Sequence, residues 1–177
     1  MMHSVYAQGL YDLAAEEQLE DRLLQELSAL QTSFRQEPGF LRLLASCNLA
    51  KQERVQVLDD SLRGRVHPYV LNFLKSLTEK GYIRRFDDCC KAYEGFYNEA
   101  HNILPVQAAS AVELSASQQE KLTRKLERIT GKTVKLSCVV DPACLGGVRL
   151  DYDGKRVDGT VEHALASIAG LLQNTVL

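Results

Sequence analysis

The 177-residue sequence has no tryptophan, only four prolines and four histidines, and almost no net charge. Each shortage closes a class of function. No apolar run approaches the roughly 18 residues that a bilayer-crossing helix needs, so direct membrane insertion is not expected and any membrane association goes through another protein. With 21 Lys and Arg against 23 Asp and Glu, the net charge is −2, too weak a field to attract nucleic acid or anionic lipid. His3, His67, His101 and His163 show no metal spacing, so no metal or other cofactor is expected. The five cysteines, Cys47, Cys89, Cys90, Cys138 and Cys144, are odd in number and lack a CxxC pair or repeated spacing, which reads as reduced thiols in a cytosolic-type compartment. The first residues lack the basic and apolar regions of a signal peptide and the arginine-rich look of a transit peptide, so neither leader is expected.

What the sequence does have, up to about residue 103, is helical periodicity. Tyr6, Leu10 and Leu13 share one face over residues 4–14. A longer helix is expected over 16–36 from Leu19, Leu23, Leu27, Leu30 and Phe34, with Glu16-Glu17 suiting its positive end. Pro38-Gly39 ends it, leaving a short helical piece over 40–46. Val55, Leu58 and Leu62 mark a helix over 50–63. Pro68 opens another that carries Val70, Phe73, Leu74 and Leu77 and closes at Gly81. Ile83, Phe86, Cys90, Tyr93 and Tyr97 mark the last, over 82–102. Short connections and the lack of a strand signal predict a six-helix bundle.

After residue 103 the period changes. Residues 105–114 are rich in valine and alanine with partial alternation. Either Ser115 with Gln118 or Ser117 with Glu120 forms a capping box for a helix bearing Leu122, Leu126 and Ile129 up to Gly131. Thr133 to Val140 reads as a strand. Gly146-Gly147 suggests a bulge ahead of the alternating strand 148–152, Asp153-Gly154 supplies a two-residue hairpin turn, and 155–157 is the return strand. Asp158-Gly159-Thr160 then starts a terminal helix with a stripe at Val161, Ala164, Leu165, Ile168 and Leu172. The predicted fold class is α+β, mainly α, with an N-terminal helical bundle over 1–103 and a small C-terminal α/β domain over 104–177.

Reaction centres do not emerge from this pattern. Asp151, Asp153 and Glu162 match three places of a calcium loop, but Lys155 occupies a ligand place and Arg156 replaces the turn glycine. Cys90 and His101, eleven residues apart on one helix, stand about 16 Å apart at 1.5 Å per residue and cannot pair. Gly146-Gly147 lacks the lysine and spacing of a phosphate loop. Lys121, Arg124, Lys125 and Arg128 line one helix face, either as its solvated side or as a docking surface for an acidic partner or nucleic acid. The first and fifth helices carry more apolar residues than one face needs. Tyr6, Leu10, Tyr11, Val70, Phe73, Leu74 and Leu77 either fill a packed bundle or line a groove for an amphipathic helix from another chain.

Taken together, Val134-x-Leu136, Val140-Asp141-Pro142, Leu145-Gly146-Gly147-Val148-x-Leu150 and Val157-Asp158-Gly159-Thr160-Val161 with Leu165 resemble the C-terminal pattern of the F-type ATP synthase delta subunit. This is the family of the mitochondrial oligomycin-sensitivity-conferring protein. Tyr6-Ala7-x-x-Leu10 and Ala109-x-Ala111-x-x-Leu114-Ser115 extend the resemblance along the chain, with departures at Tyr82, Cys144 and Thr160. Within it, Asp141, Gly146, Gly147, Asp158 and Thr160 count as structural signature positions. The resemblance implies a non-catalytic stator component that joins the catalytic head to the peripheral stalk, so that proton-driven rotation is coupled to ATP synthesis. It also implies two partners: the N-terminal segment of an alpha subunit on the first domain, and the C-terminal end of a b subunit on the second. The implied location is the cytoplasmic face of the cell membrane, as a peripheral part of the complex. The competing reading, from the helical bundle and the basic stripe of Lys121, Arg124, Lys125 and Arg128, is a free-standing helical adaptor or RNA-binding regulator.

Overall fold

A computed structural model describes residues 2–46, 48–141, 144, 148–152 and 154–157. The expectations placed on Gly146, Gly147, Asp153, Asp158, Thr160 and the terminal helix lie outside the described residues. The chain is mainly helical with a small four-stranded sheet, an α+β arrangement. It divides into two compact units, Met1–Tyr97 and Asn98–Leu177.

The first unit is built from α1 (Met2–Glu16), α2 (Glu20–Gln36), α3 (Pro38–Leu44), α4 (Lys51–Leu62), α5 (Pro68–Glu79) and a 3-10 turn at Ile83–Arg85 leading into α6 (Phe86–Ala100), whose last three residues lie past the division. The expected helix over 16–36 starts later, at Glu20. Gln18 adopts the left-handed conformation (φ 57°), its N–H donating to the Ala15 carbonyl while the Leu19 N–H donates to the Ala14 carbonyl at 2.8 Å. This is a Schellman stop with glutamine where glycine is usual, which is why spacing alone missed it. The acidic first turn of α2 is therefore Glu20 and Asp21, not Glu16-Glu17. Pro38 opens α3 at its first position, where the missing N–H costs nothing.

Helix α5 packs against α1, α2, α4 and the 3-10 turn. That central place explains its apolar excess: a helix enclosed by neighbours needs no polar face. Its start is fixed by His67, whose Nδ1 accepts from the Tyr69 N–H at 3.3 Å and whose own N–H donates to Glu26 at 2.6 Å. Its end is a Schellman stop at Gly81 (φ 76°), with the Tyr82 N–H donating to the Leu77 carbonyl at 2.7 Å. Leu23, Leu27, Leu44, Leu58, Leu74, Leu77, Phe86 and Tyr93 are essentially inaccessible and form the core between the helices.

The second unit holds β1 (Ile103–Ser110), α7 (Ala116–Thr130), β2 (Thr133–Val140), β3 (Val148–Tyr152) and β4 (Lys155–Val157), with strand order β2-β1-β3-β4. β1 runs parallel to β2 and antiparallel to β3. Of the two possible capping boxes, Ser115 with Gln118 forms, and Gly131 (φ 66°) ends α7. Leu104, Val106, Val134, Val148 and Leu150 cover one sheet face and pack on Leu122 and Leu126 of α7.

Pro105 stands in a central strand, where a residue without an N–H is rarely tolerated. The carbonyls of Asn102 and Ser110 both accept from the β2 side, from Thr133 and Asp141. Even-numbered residues of β1 thus direct their backbone groups to β2, and alternation turns the Pro105 nitrogen toward β3. Among the described residues, pairing with β3 runs from Val106, opposite Tyr152, so Pro105 interrupts none of the described ladder bonds.

Candidate functional site

Helix α1 turns Ala7, Leu10 and Ala14 into the core. Tyr6 and Tyr11 stand about 140° apart around the helix at 100° per residue, on opposite flanks. Tyr6 meets Tyr82 at 6.2 Å between ring centroids, and Tyr11 meets Tyr93 edge-on at 5.5 Å. Partial burial, and next the Glu20 carboxylate, raise the Tyr11 hydroxyl above its ordinary pKa. Both rings are half-buried and keep an edge in solvent.

The rest of the expected groove set lies inside. Leu10, Val70, Phe73, Leu74 and Leu77 all belong to the core cluster, with Val70, Leu74 and Leu77 at 0% exposure. The structure brings these five together as packing and leaves them almost no area to offer a partner. The outward apolar surface on α1 is instead Val5, 66% exposed, and Leu13, 46% exposed. With exposed Gly9 between them and Tyr6 beside them, these residues span about 100° of helix surface. Val5 escaped sequence reasoning because it falls off the 3.6-residue stripe by which core positions are recognised.

In the second unit, Asp141 has a definite structural task. Its N–H donates to the Ser110 carbonyl at 2.8 Å, its carbonyl accepts from Cys144, and its carboxylate accepts from Arg149 Nη2 at 2.9 Å. Arg149 Nε also lies 3.7 Å from Asp151, which takes Arg156 Nε at 2.7 Å. Asp151 is thus flanked by two guanidiniums. Its partners in the calcium-loop comparison, Asp153 and Glu162, lie outside the described residues.

The adjacent thiols of α6 are buried. Burial first, then the Asp88 charge, pushes Cys89 up to about 11, and burial drives Cys90 higher still. Both stay protonated at neutral pH and are unfit as nucleophiles. His67 is occupied in capping α5. Among the described residues no group of three His, Cys, Asp or Glu side chains could hold a metal, and no helix is long and apolar enough to cross a membrane.

The exposed apolar side chains of α1 suit attachment to other proteins, and comparison with known proteins agrees. Residues 2–172 match the family model described as ATP synthase delta (OSCP) subunit. The chain is 31% identical to ATP synthase subunit delta of Alkaliphilus oremlandii over 163 residues, covering 92% of this chain and 91% of that protein. It is 29% identical to ATP synthase subunit delta of Clostridioides difficile over 172 residues, covering 97% and 95%. In fold it is similar to a chain of the cryo-EM structure of the Toxoplasma gondii mitochondrial ATP synthase hexamer, with a TM-score of 0.73, 16% identity and 98% of each chain covered. With both units inside a single family match, the chain belongs to the ATP synthase delta (OSCP) subunit family.

Proposed function

We propose that this chain is the stator subunit that joins the catalytic head of an F-type ATP synthase to its peripheral stalk. It is a non-catalytic component of the complex: proton-driven rotation and ATP synthesis take place on other subunits, and this one keeps the head from turning with the rotor. The observation that carries the reading is the family match, which runs through the helical unit and the sheet-containing unit without a break.

The finer assignment follows the two-unit division. The N-terminal six-helix bundle, residues 1–103, holds the N-terminal segment of the alpha subunit, and residues 104–177 hold the C-terminal end of the b subunit. The complex places the chain peripherally at the cytoplasmic face of the cell membrane. Since α5 is enclosed, the alpha-subunit segment docks on the outward face of α1, using Val5, Tyr6 and Leu13, the first and last of which are among the large apolar side chains left exposed. A link under repeated torque needs slow dissociation, and nanomolar affinity corresponds to about −12 kcal/mol.

Titration calorimetry of the full chain against an alpha-subunit N-terminal peptide tests the head-side assignment. Val5→Asp with Leu13→Asp, both at exposed positions, is expected to weaken binding at least tenfold with the circular dichroism spectrum unchanged. Unaltered affinity in that folded variant rejects the α1 face. Pull-down of the b subunit by a chain cut after about residue 103 tests the other half: retention of b by the bundle alone overturns the division of labour.

A further inference from the structure

Strand β2 forms one edge of the sheet. The N–H groups of Thr133 and Asp141 donate inward, to Asn102 and Ser110, so alternation turns the backbone groups of Leu136, Cys138 and Val140 outward. Among the described residues nothing pairs with them. Val134 shares their parity, but its N–H donates to Glu127 of α7 at 3.2 Å. At the other end the next residue of that parity is Pro142, which has no N–H. An open span therefore runs from Leu136 to Val140, closed at both ends and centred on Cys138. Cys138, Val139 and Val140 are exposed, the valines at 44% and 52%. Natural edges are usually guarded by lysine or proline, and this span contains neither.

We infer that a second copy of this chain lays its own β2 along this span, antiparallel and two-fold symmetric about Cys138. In that alignment β2 is complementary to itself. Leu136 stands opposite Val140 of the second copy, Ser137 opposite Val139, and Cys138 opposite its counterpart, and the outward residues exchange both of their bonds with the residues they face. Just outside the span Lys135 stands opposite Asp141, so opposite charges meet twice by symmetry. Where the ladder would continue, Val134 faces Pro142. The donor of the first is already held by Glu127 and the second has none, so stopping there leaves no donor unmet. Moving the two-fold axis by one or two residues either way sets an outward residue against Val134 or Pro142 and forfeits bonds. These matches belong to β2 paired with β2, which is why the occupant is another copy and not an unrelated strand. So short a ladder makes a small contact, and the dimer is weak and concentration-dependent. It concerns the chain by itself and does not rest on the stator reading.

Sedimentation equilibrium of the full chain under reducing conditions, at concentrations up to about 1 mM, is expected to show a monomer–dimer equilibrium. The residue on the axis meets its own kind, which gives the test its handle. Cys138→Lys and Cys138→Glu, at an exposed position and checked by far-UV circular dichroism, each set like charges against one another. Each alone is expected to dimerise about fivefold more weakly or worse, with the loss largest at low salt, whereas their one-to-one mixture pairs lysine with glutamate and associates more tightly than either. A second measurement needs no variant. The Cα atoms of such a facing pair stand about 5.5 Å apart, so a short bis-maleimide is expected to join Cys138 of one wild-type copy to Cys138 of the other, as mapped by mass spectrometry. A wild type that stays monomeric throughout overturns the inference. So do variants that dimerise as wild type does, a mixture no tighter than its components, or cross-links that run through other cysteines and not Cys138.

Discussion

Arg149 on β3 donates to the carboxylate of Asp141, just past the end of β2, at 2.9 Å, and so ties together two strands that are not neighbours in the sheet. Both side chains keep about a third of their exposure, 29% and 30%, so solvent screens the pair. Asp141→Ala or Arg149→Met is expected to lower stability by about 1 kcal/mol. Hydrogen exchange should localise the loss to the second unit, with faster exchange at the Asp141 end of β2 and no change in α5.

Asp59 on α4 is paired with Lys75 of α5 and with Arg63 one turn along. The hydrogen bond from Lys75, then the Arg63 charge, holds its carboxyl below the ordinary value of 3.8 despite an opposing contribution from burial. A depressed carboxylate pKa means the unfolded chain takes up the proton first. The stabilisation is therefore complete above the ordinary value and disappears as pH falls from there through the folded one. Denaturant unfolding of wild type and Asp59→Asn should differ at neutral pH and converge in acid.

Tyr97 behaves in the opposite sense. Its hydroxyl donates to Asp21 of α2, and that bond, aided by burial, raises its pKa from 10.0 to about 12. The protonated form is the one favoured on folding, so the contribution is full below 10 and is lost as pH rises toward 12. Ultraviolet titration of the tyrosines should show a late-ionising phenol that moves down in Asp21→Asn.

Leu74, at 0% exposure in the enclosed helix α5, should behave as packing. Leu74→Ala is expected to cost about 3 kcal/mol, the range for a fully buried leucine. Thermal unfolding measures it, and a loss under 1 kcal/mol would contradict the core assignment.

Gln18 pays a conformational penalty at its left-handed position (φ 57°). Gln18→Gly should raise stability by up to about 1 kcal/mol, since glycine occupies that region without a Cβ clash. An unchanged or lowered melting midpoint would count against the Schellman stop.

Two helix ends, at Gln18 and Gly81, mark the reach of the sequence. Gly81 and Gln18 close helices with the same hydrogen-bond motif, yet only glycine announces itself, so α5 was bounded correctly and the break between α1 and α2 was not. Pro68 and Gly131 are legible because each fills a backbone need that few residues meet, whereas the capping box of α7 is narrowed by sequence only to Ser115 with Gln118 or Ser117 with Glu120. The hairpin strands β3 and β4 followed from alternation. Burial is a property of the assembled unit, and there periodicity ran out. The surplus leucines of α5 suited a groove as well as an enclosed helix until the neighbours were in place, and Val5 gave no periodic hint of its exposure. The cations of α7 were visible in the sequence.

Pro105 leaves its mark on assembly as well as on pairing. A β3–β4 ribbon that slid two residues toward the start of β1 would face a nitrogen with nothing to donate, and the forfeited bond would rank that misaligned sheet below the native one. The imino acid therefore acts as a doorstop, leaving that slipped hairpin about 1 kcal/mol short of the native alignment.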